Sequence, residues 1–176
     1  MEQKFILTAF GKDRPGIVAE ITEIIYENKC NLEDSNMGRL ADEFTLILLL
    51  TGNSKDDLQD RLSRECRRLE REKDIFCFIR PLDFQQPDNG NRNNLHTIEV
   101  EGVDQAGIVY KVARLLAAEN INIETLNSKK KFSPNSGTAM YVMNITATLP
   151  KGMAVEAVDS KLDELANELH VDITIT

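Results

Sequence analysis

The feature that most constrains this chain is that it repeats itself. "GKDRPGIVAEI", Gly11 to Ile21, is answered by "GVDQAGIVYKV", Gly102 to Val112, 91 residues later. The same offset pairs Asp13 with Asp104, Gly16 with Gly107, Ile17 with Ile108 and Val18 with Val109. Further on it pairs Asn31 with Asn122, Glu33 with Glu124 and Asn36 with Asn127. A register held over more than 20 positions is a duplication, and a duplication means one folding unit built twice. With 176 residues, each copy is short enough to be one small domain.

The pattern in each copy reads as strand, helix, strand, strand, helix, strand. In the first, Lys4–Phe10 is an apolar run, and Ile17, Val18, Ile21, Ile24 and Ile25 recur on one helical face. Residues 31–40 and 43–52 read as two strands joined at "ADE". Leu58, Leu62, Cys66 and Leu69 mark a second helix with Ser54 as its expected N-cap, and 74–82 a last strand. The second copy repeats this order: 95–102; a helix facing inward with Ile108, Val109, Val112, Leu115 and Leu116; 122–132 and 138–149 around a turn at "SPNSG"; a stripe of Val155, Val158, Leu162, Leu165 and Leu169; and 171–176.

Right-handed crossovers close such a β-α-β-β-α-β unit into a four-stranded antiparallel sheet with both helices on one face, the ferredoxin-like arrangement of an α+β protein. "TLILLL" is apolar at both alternating sets, which predicts a central strand covered on both sides. "QQPDNGNRNN", 85–94, holds no large apolar residue and reads as a linker. The expected domains are therefore 1–84 and 95–176.

Charge and composition exclude several functions. The net charge is −8; residues 1–91 carry 13 Lys and Arg against 18 Asp and Glu, and the rest 8 against 11. Arg64, Arg67, Arg68 and Arg71 are interleaved with Glu65, Glu70 and Glu72, a solvated salt-bridged face, and Lys129–Lys131 is a short run. Neither gathers the positive charge that phosphate binding needs, so direct nucleic-acid binding is not expected. No apolar run approaches the roughly 20 residues of a membrane span, and no secretory signal is visible. Three cysteines, Cys30, Cys66 and Cys77, without CxxC spacing argue against a disulfide framework and a zinc site. They read as small buried hydrophobes of a cytoplasmic protein. The two histidines, His96 and His170, sit in no catalytic motif, and no nucleophile elbow, phosphate loop or metal-binding helix is present. No catalytic residue, metal or cofactor is expected.

The repeated corner admits two readings. As helix initiation, Pro15 suits the first helical turn, Arg14 is the last non-helical residue, Asp13 complements the helix dipole and Gly16 permits close backbone approach. As a ligand site, the unpaired first amides of the helix suit a carboxylate, and Asp13 can accept from an ammonium group. Together these are the two halves of an amino-acid zwitterion. Asn31 and Asn122, at the start of the second strand of each copy, offer amides to the same ligand through a pocket between modules or subunits. Equally, they suit a helix-to-strand turn.

The order of elements, with "DRPGIV" at the first corner and "CNLED" at the second strand, resembles the ACT domain, a regulatory module that commonly binds amino acids. The resemblance covers the whole chain as two tandem copies. It is similar in this to a family of tandem-ACT repressors of the glycine cleavage system, which act by contact with a DNA-binding activator. It implies ligand positions at Gly11, Asp13, Pro15, Gly16, Ile17 and Asn31, and in the second copy at Gly102, Asp104, Ala106, Gly107, Ile108 and Asn122. The second copy departs from the pattern, with "DQAG" in place of "DRPG". The resemblance further implies a small amino acid of glycine or serine type as effector, a partner transcription factor or enzyme, and room for a homodimer. An effector-binding subunit of an amino-acid metabolic enzyme is the alternative.

Overall fold

The computed structural model describes residues 2–53, 57–82, 94–132 and 137–176. It divides into two compact units, Met1–Pro87 and Asp88–Thr176. The first runs β1 (Glu2–Lys12), α1 (Ile17–Glu27), β2 (Asn31–Leu40), β3 (Glu43–Asn53), α2 (Leu58–Lys73) and β4 (Phe76–Leu82). The second runs β5 (Leu95–Val103), α3 (Ile108–Ala118), β6 (Asn122–Phe132), β7 (Ala139–Thr148), α4 (Val155–Leu169) and β8 (Val171–Ile175). Their sheets are ordered β2-β3-β1-β4 and β6-β7-β5-β8, with every pairing antiparallel. These are the two ferredoxin-like units read from the sequence. The expected Ser54 cap, most of the 85–94 linker and most of the "SPNSG" turn lie outside the described residues. Asp57, in left-handed conformation (φ 39°), flanks the start of α2.

Each core lies between one sheet face and its two helices. In the first unit Phe5, Leu7 and Ala9 of β1 and Phe44, Leu46, Leu48 and Leu50 of β3 meet Ile17, Ile21, Ile24 and Ile25 of α1 and Leu58, Leu62, Cys66 and Leu69 of α2. Burying each such aliphatic side chain stabilises by about 1.5–3 kcal/mol, so the 3.6-residue stripes dictate how the helices roll onto the sheet. Val18 and Val109, expected on the inner faces, are instead 39% exposed. The stripe from Ile17 through Ile21, Ile24 and Ile25 leaves position 18 on the flank.

The strand β3 is central, but it is not covered on both sides. Ile47, on its second face, is 47% exposed, because both helices occupy the other face. Around it lies a bare apolar surface. Phe10 stacks on Phe76 with ring centroids 5.1 Å apart, and Phe78 stands edge-on to Phe10 at 6.4 Å. Phe78 is 57% exposed.

Both second strands carry a bulge, one between Leu32 and Asp34 and one between Ile123 and Thr125. The extra residue is Glu33 in one and Glu124 in the other, which gives their match in the repeat a local cause. Each reaches across to the neighbouring strand: Thr51 donates to Glu33, and Thr148 to Glu124 at 2.8 Å.

Candidate functional site

The corner after β1 is a turn rather than the first turn of a helix. The Ile17 N–H donates to the Arg14 carbonyl at 3.3 Å, with Pro15 and Gly16 between them. Gly16 has φ 91° and ψ −12°, the values of the third position of a type II turn, where Pro precedes a residue that must be glycine. The expectation that Pro15 opens the helix is thereby corrected: α1 starts at Ile17 and Gly16 is its N-cap. Gly107 has the same conformation, φ 98° and ψ −8°. A Cβ built on either glycine would meet nothing within 4 Å, so backbone sign and not close approach demands glycine there. Close approach acts at Gly11, where a Cβ would stand 3.1 Å from the Asp74 carbonyl oxygen, and at Gly102, where it would stand 2.4 Å from Val171 Cγ1.

Neither α1 nor α3 has a side-chain cap. The Gly16 carbonyl accepts from Glu20 N–H at 3.0 Å, and Gly107 from Lys111 at 2.9 Å. The amides of Val18 and Ala19, and of Val109 and Tyr110, therefore start their helices without a side-chain acceptor. The Ile17 and Ile108 side chains point into the cores, which leaves only their backbone at the corner. Pro15, Gly16, Ala106 and Gly107 are exposed.

Asp13 joins this corner to the β2–β3 hairpin. Its N–H donates to the Asp42 carbonyl at 2.7 Å, and its carboxylate lies 3.3 Å from Arg39 Nε. In the second unit the Asp104 N–H donates to Ala139 at 3.0 Å, and its carboxylate lies 2.7 Å from Lys130 Nζ. Arg39 and Lys130 are themselves 91 residues apart. The basic partner of each corner aspartate thus recurs in register. Sequence reasoning missed both, although the offset that found the aspartates finds them too.

Arg14 turns away from the corner onto α1. It grips Glu20 through two bonds, 3.0 and 2.6 Å, and Lys73 stands 3.8 Å from the same carboxylate. The hydrogen bond from Arg14 holds the Glu20 pKa below the usual carboxylate range and raises that of Arg14. In the second unit Gln105 replaces Arg14 and donates to the Leu169 carbonyl, while Lys111 replaces Glu20 and pairs with Glu168 at 2.6 Å.

The asparagines stand elsewhere. Asn31 pairs with Thr51, which pairs with Lys4; Gly11 is seven positions further along β1. At about 3.4 Å per residue, Asn31 lies about 24 Å along the sheet from its own corner. Asn122 pairs with Thr148 opposite Leu95, seven positions from Gly102. Within one unit, corner and asparagine do not share a site. Asn31 instead lines an open cleft of about 510 Å³ with Glu2, Lys29, Glu33 and Thr51. There Lys4 pairs with Glu33 at 2.6 Å, and the bonds from Lys4 and Thr51 lower the Glu33 pKa. Asn122 donates to Glu124 at 2.7 Å.

Fold and corner together define a class: residues 3–78, within the first unit, match the model of the ACT domain family, and the second unit repeats the same order of elements. Among known proteins the chain is similar along 97% of its length to the glycine cleavage system transcriptional repressor of Escherichia coli (strain K12), with 27% identity over 172 residues and 87% of that protein covered. Over 78 residues it is 30% identical to a UPF0237 protein of Methanopyrus kandleri, covering 44% of this chain and 87% of that one. A solved protein of unknown function from Galdieria sulphuraria superposes with a TM-score of 0.78 at 27% identity, covering 99% of this chain and 98% of its own. A candidate glycine cleavage system transcriptional repressor of known structure shares the fold at a TM-score of 0.72 and 23% identity, covering 100% of this chain and 97% of its own.

Proposed function

We propose that this chain is a non-catalytic, amino-acid-sensing regulator of genes for glycine cleavage or related amino-acid metabolism. It acts in the cytoplasm by contact with a partner transcription factor and not by binding DNA itself. Its domains are 1–84 and 95–176, with 85–94 as linker. The observation that carries the reading is the similarity along almost the whole chain to a repressor of that system.

The corner supports the sensing half. A small amino acid at Gly11–Ile17 would place its carboxylate on the uncapped first amides of α1, where the dipole favours negative charge. Its ammonium group would take the Asp13 carboxylate from Arg39, a half-exposed partner. A sensor working from micromolar to millimolar concentration needs about −8 to −4 kcal/mol, which a few charge-assisted hydrogen bonds supply. Switching requires that the ligand prefer one arrangement of the chain over another. Displacing Arg39 supplies such a difference, because it releases the end of β2 from the corner while the backbone bond from Asp13 to Asp42 stays.

The apolar face around Phe10, Phe76 and Phe78 supports the protein-contact half, since an exposed aromatic patch of this kind suits a protein partner. The test is a thermal-shift screen of the full chain against all amino acids, followed by affinity capture from cell extract with and without the hit. A stabilising small amino acid and a captured transcription factor are the expected results. Absence of any stabilising amino acid sinks the sensing half, and capture of a metabolic enzyme replaces the partner.

A further inference from the structure

Two thiols meet inside the first core. Cys66 lies on the inner face of α2 and Cys77 on the core face of β4, 2% and 8% exposed. Their sulfurs are 2.9 Å apart. A disulfide holds its sulfurs about 2.05 Å apart, so a movement of under about 1 Å closes the bond. Cys30, the third cysteine, stands away from them, against Gly52.

The fold does not demand this pair. Cys77 is paired with Ala9 in the sheet, and the matching partner of Val100, 91 residues after Ala9, is Ile173. Counted back from the left-handed C-caps Asp74 and His170, the place of Cys66 in the second helix of the first unit is held by Leu162 in the second. Aliphatic side chains thus serve the same two places in the second unit.

We propose that Cys66 and Cys77 are a dithiol site that a hydroperoxide converts to an intramolecular disulfide. The Cys66 sulfur attacks the peroxide, the O–O bond breaks, and an alcohol (water, for hydrogen peroxide) leaves with Cys66 as its sulfenic acid. The Cys77 sulfur then attacks the Cys66 sulfur; the S–O bond breaks and water leaves, carrying the Cys77 proton. Two thiols give up two electrons and the peroxide is reduced by two. The order of attack follows from the shared proton: the bond with Cys77 lowers the Cys66 pKa, while that bond and burial push Cys77 upward. Entry would be through β4, an edge strand that pairs in the sheet with β1 alone.

The bond would close a short loop containing Lys73, Asp74 and Ile75. Lys73 faces Glu20, the partner of Arg14, and the Asp74 carbonyl abuts Gly11. Oxidation would therefore fasten the α2–β4 turn against the corner.

The test uses the reduced full chain, hydrogen peroxide, and N-ethylmaleimide trapping under denaturing conditions, read by intact mass and peptide mapping. The expected product has lost two hydrogens, takes one maleimide instead of three, contains a Cys66–Cys77 linked peptide and reverts with dithiothreitol. Cys30→Ala should form the same bond and take no maleimide; this variant leaves both core thiols in place. Cys66→Ala and Cys77→Ala, checked for fold by circular dichroism, should form none. Three trapped thiols after peroxide treatment, a bond through Cys30, or oxygen added without a linkage would overturn the proposal.

Discussion

On the open face of the first sheet stand Ile6, Phe10, Ile47, Leu49, Phe76 and Phe78. The same register positions of the second sheet hold Thr97, Glu101, Asn144, Thr146, Asp172 and Thr174. Each apolar position of one face is polar in the other, on the same backbone. The corners diverge in the same sense: a Pro-Gly turn with an Arg14–Glu20–Lys73 cluster in one, an Ala-Gly turn without it in the other. What recurs, namely the left-handed glycine, the corner aspartate with its basic partner, the bulged glutamate and the helix stripes, is what the unit needs to fold or what both copies still do. What occurs once is free of the fold's demands, and it gathers in the first unit: the aromatic face, the Arg14–Glu20–Lys73 cluster and the thiol pair.

The largest effects test the sameness. Leu62 of α2 and Leu162 of α4 are both fully buried on the core face of their helix, and Leu→Ala at either should cost about 3 kcal/mol, within the usual 2–5 for a core leucine. Urea unfolding of the two variants checks this; a cost confined to one of them breaks the equivalence of the cores. Next come the close-approach glycines. Gly102→Ala drives a methyl into Val171 and should cost about 2–3 kcal/mol, whereas Gly11→Ala, with only the Asp74 carbonyl at 3.1 Å, should cost about 1. The same titrations rank them, and the reverse order would mean the second corner yields more readily than the first. Smaller and equal in the two units, Gly16→Ala and Gly107→Ala should cost about 1 kcal/mol each from left-handed strain alone, as neither methyl meets a neighbour.

The smallest effect sharpens the difference. Glu20 is acidified in the folded chain, chiefly by the bond from Arg14. A lowered folded pKa contributes stability above the unfolded value, near 4.3, and that contribution is lost as pH falls through the folded value. Denaturation at pH 6 and pH 3 should show wild type losing more than Arg14→Gln, which copies Gln105. The pair is partly solvated, so the difference is small. An identical loss in both would place Glu20 outside the acid response.

Element order and the helix stripes were legible in the sequence because periods of two and 3.6 residues carry the burial pattern, whereas β2 and β6, exposed along nearly their whole length, carry no such period. Boundaries at the corners were not. "DRPG" suits either a helical first turn or a type II turn, and only the positive φ of Gly16 decides between them. The second face of β3 misled for a related reason: an apolar run shows what a strand could bury, not whether anything covers it. Whether Asn31 could serve the corner of its own unit was not legible, because only the pairing register, which no local pattern encodes, puts it at the far end of the sheet.

Titration of the chain with glycine and serine by calorimetry, beside Asp13→Ala and Asp104→Ala, tests the sensing corner most directly. Wild type should bind one of them with a Kd between micromolar and millimolar. Asp13→Ala should bind about tenfold more weakly, a loss of about 1.4 kcal/mol, while losing no more than about 1 kcal/mol of stability. Asp104→Ala should bind as wild type does, if the first corner is the sensor. A wild type that binds no amino acid, or an Asp13→Ala titration that overlays the wild type, would contradict it and leave the corner as a turn that starts a helix.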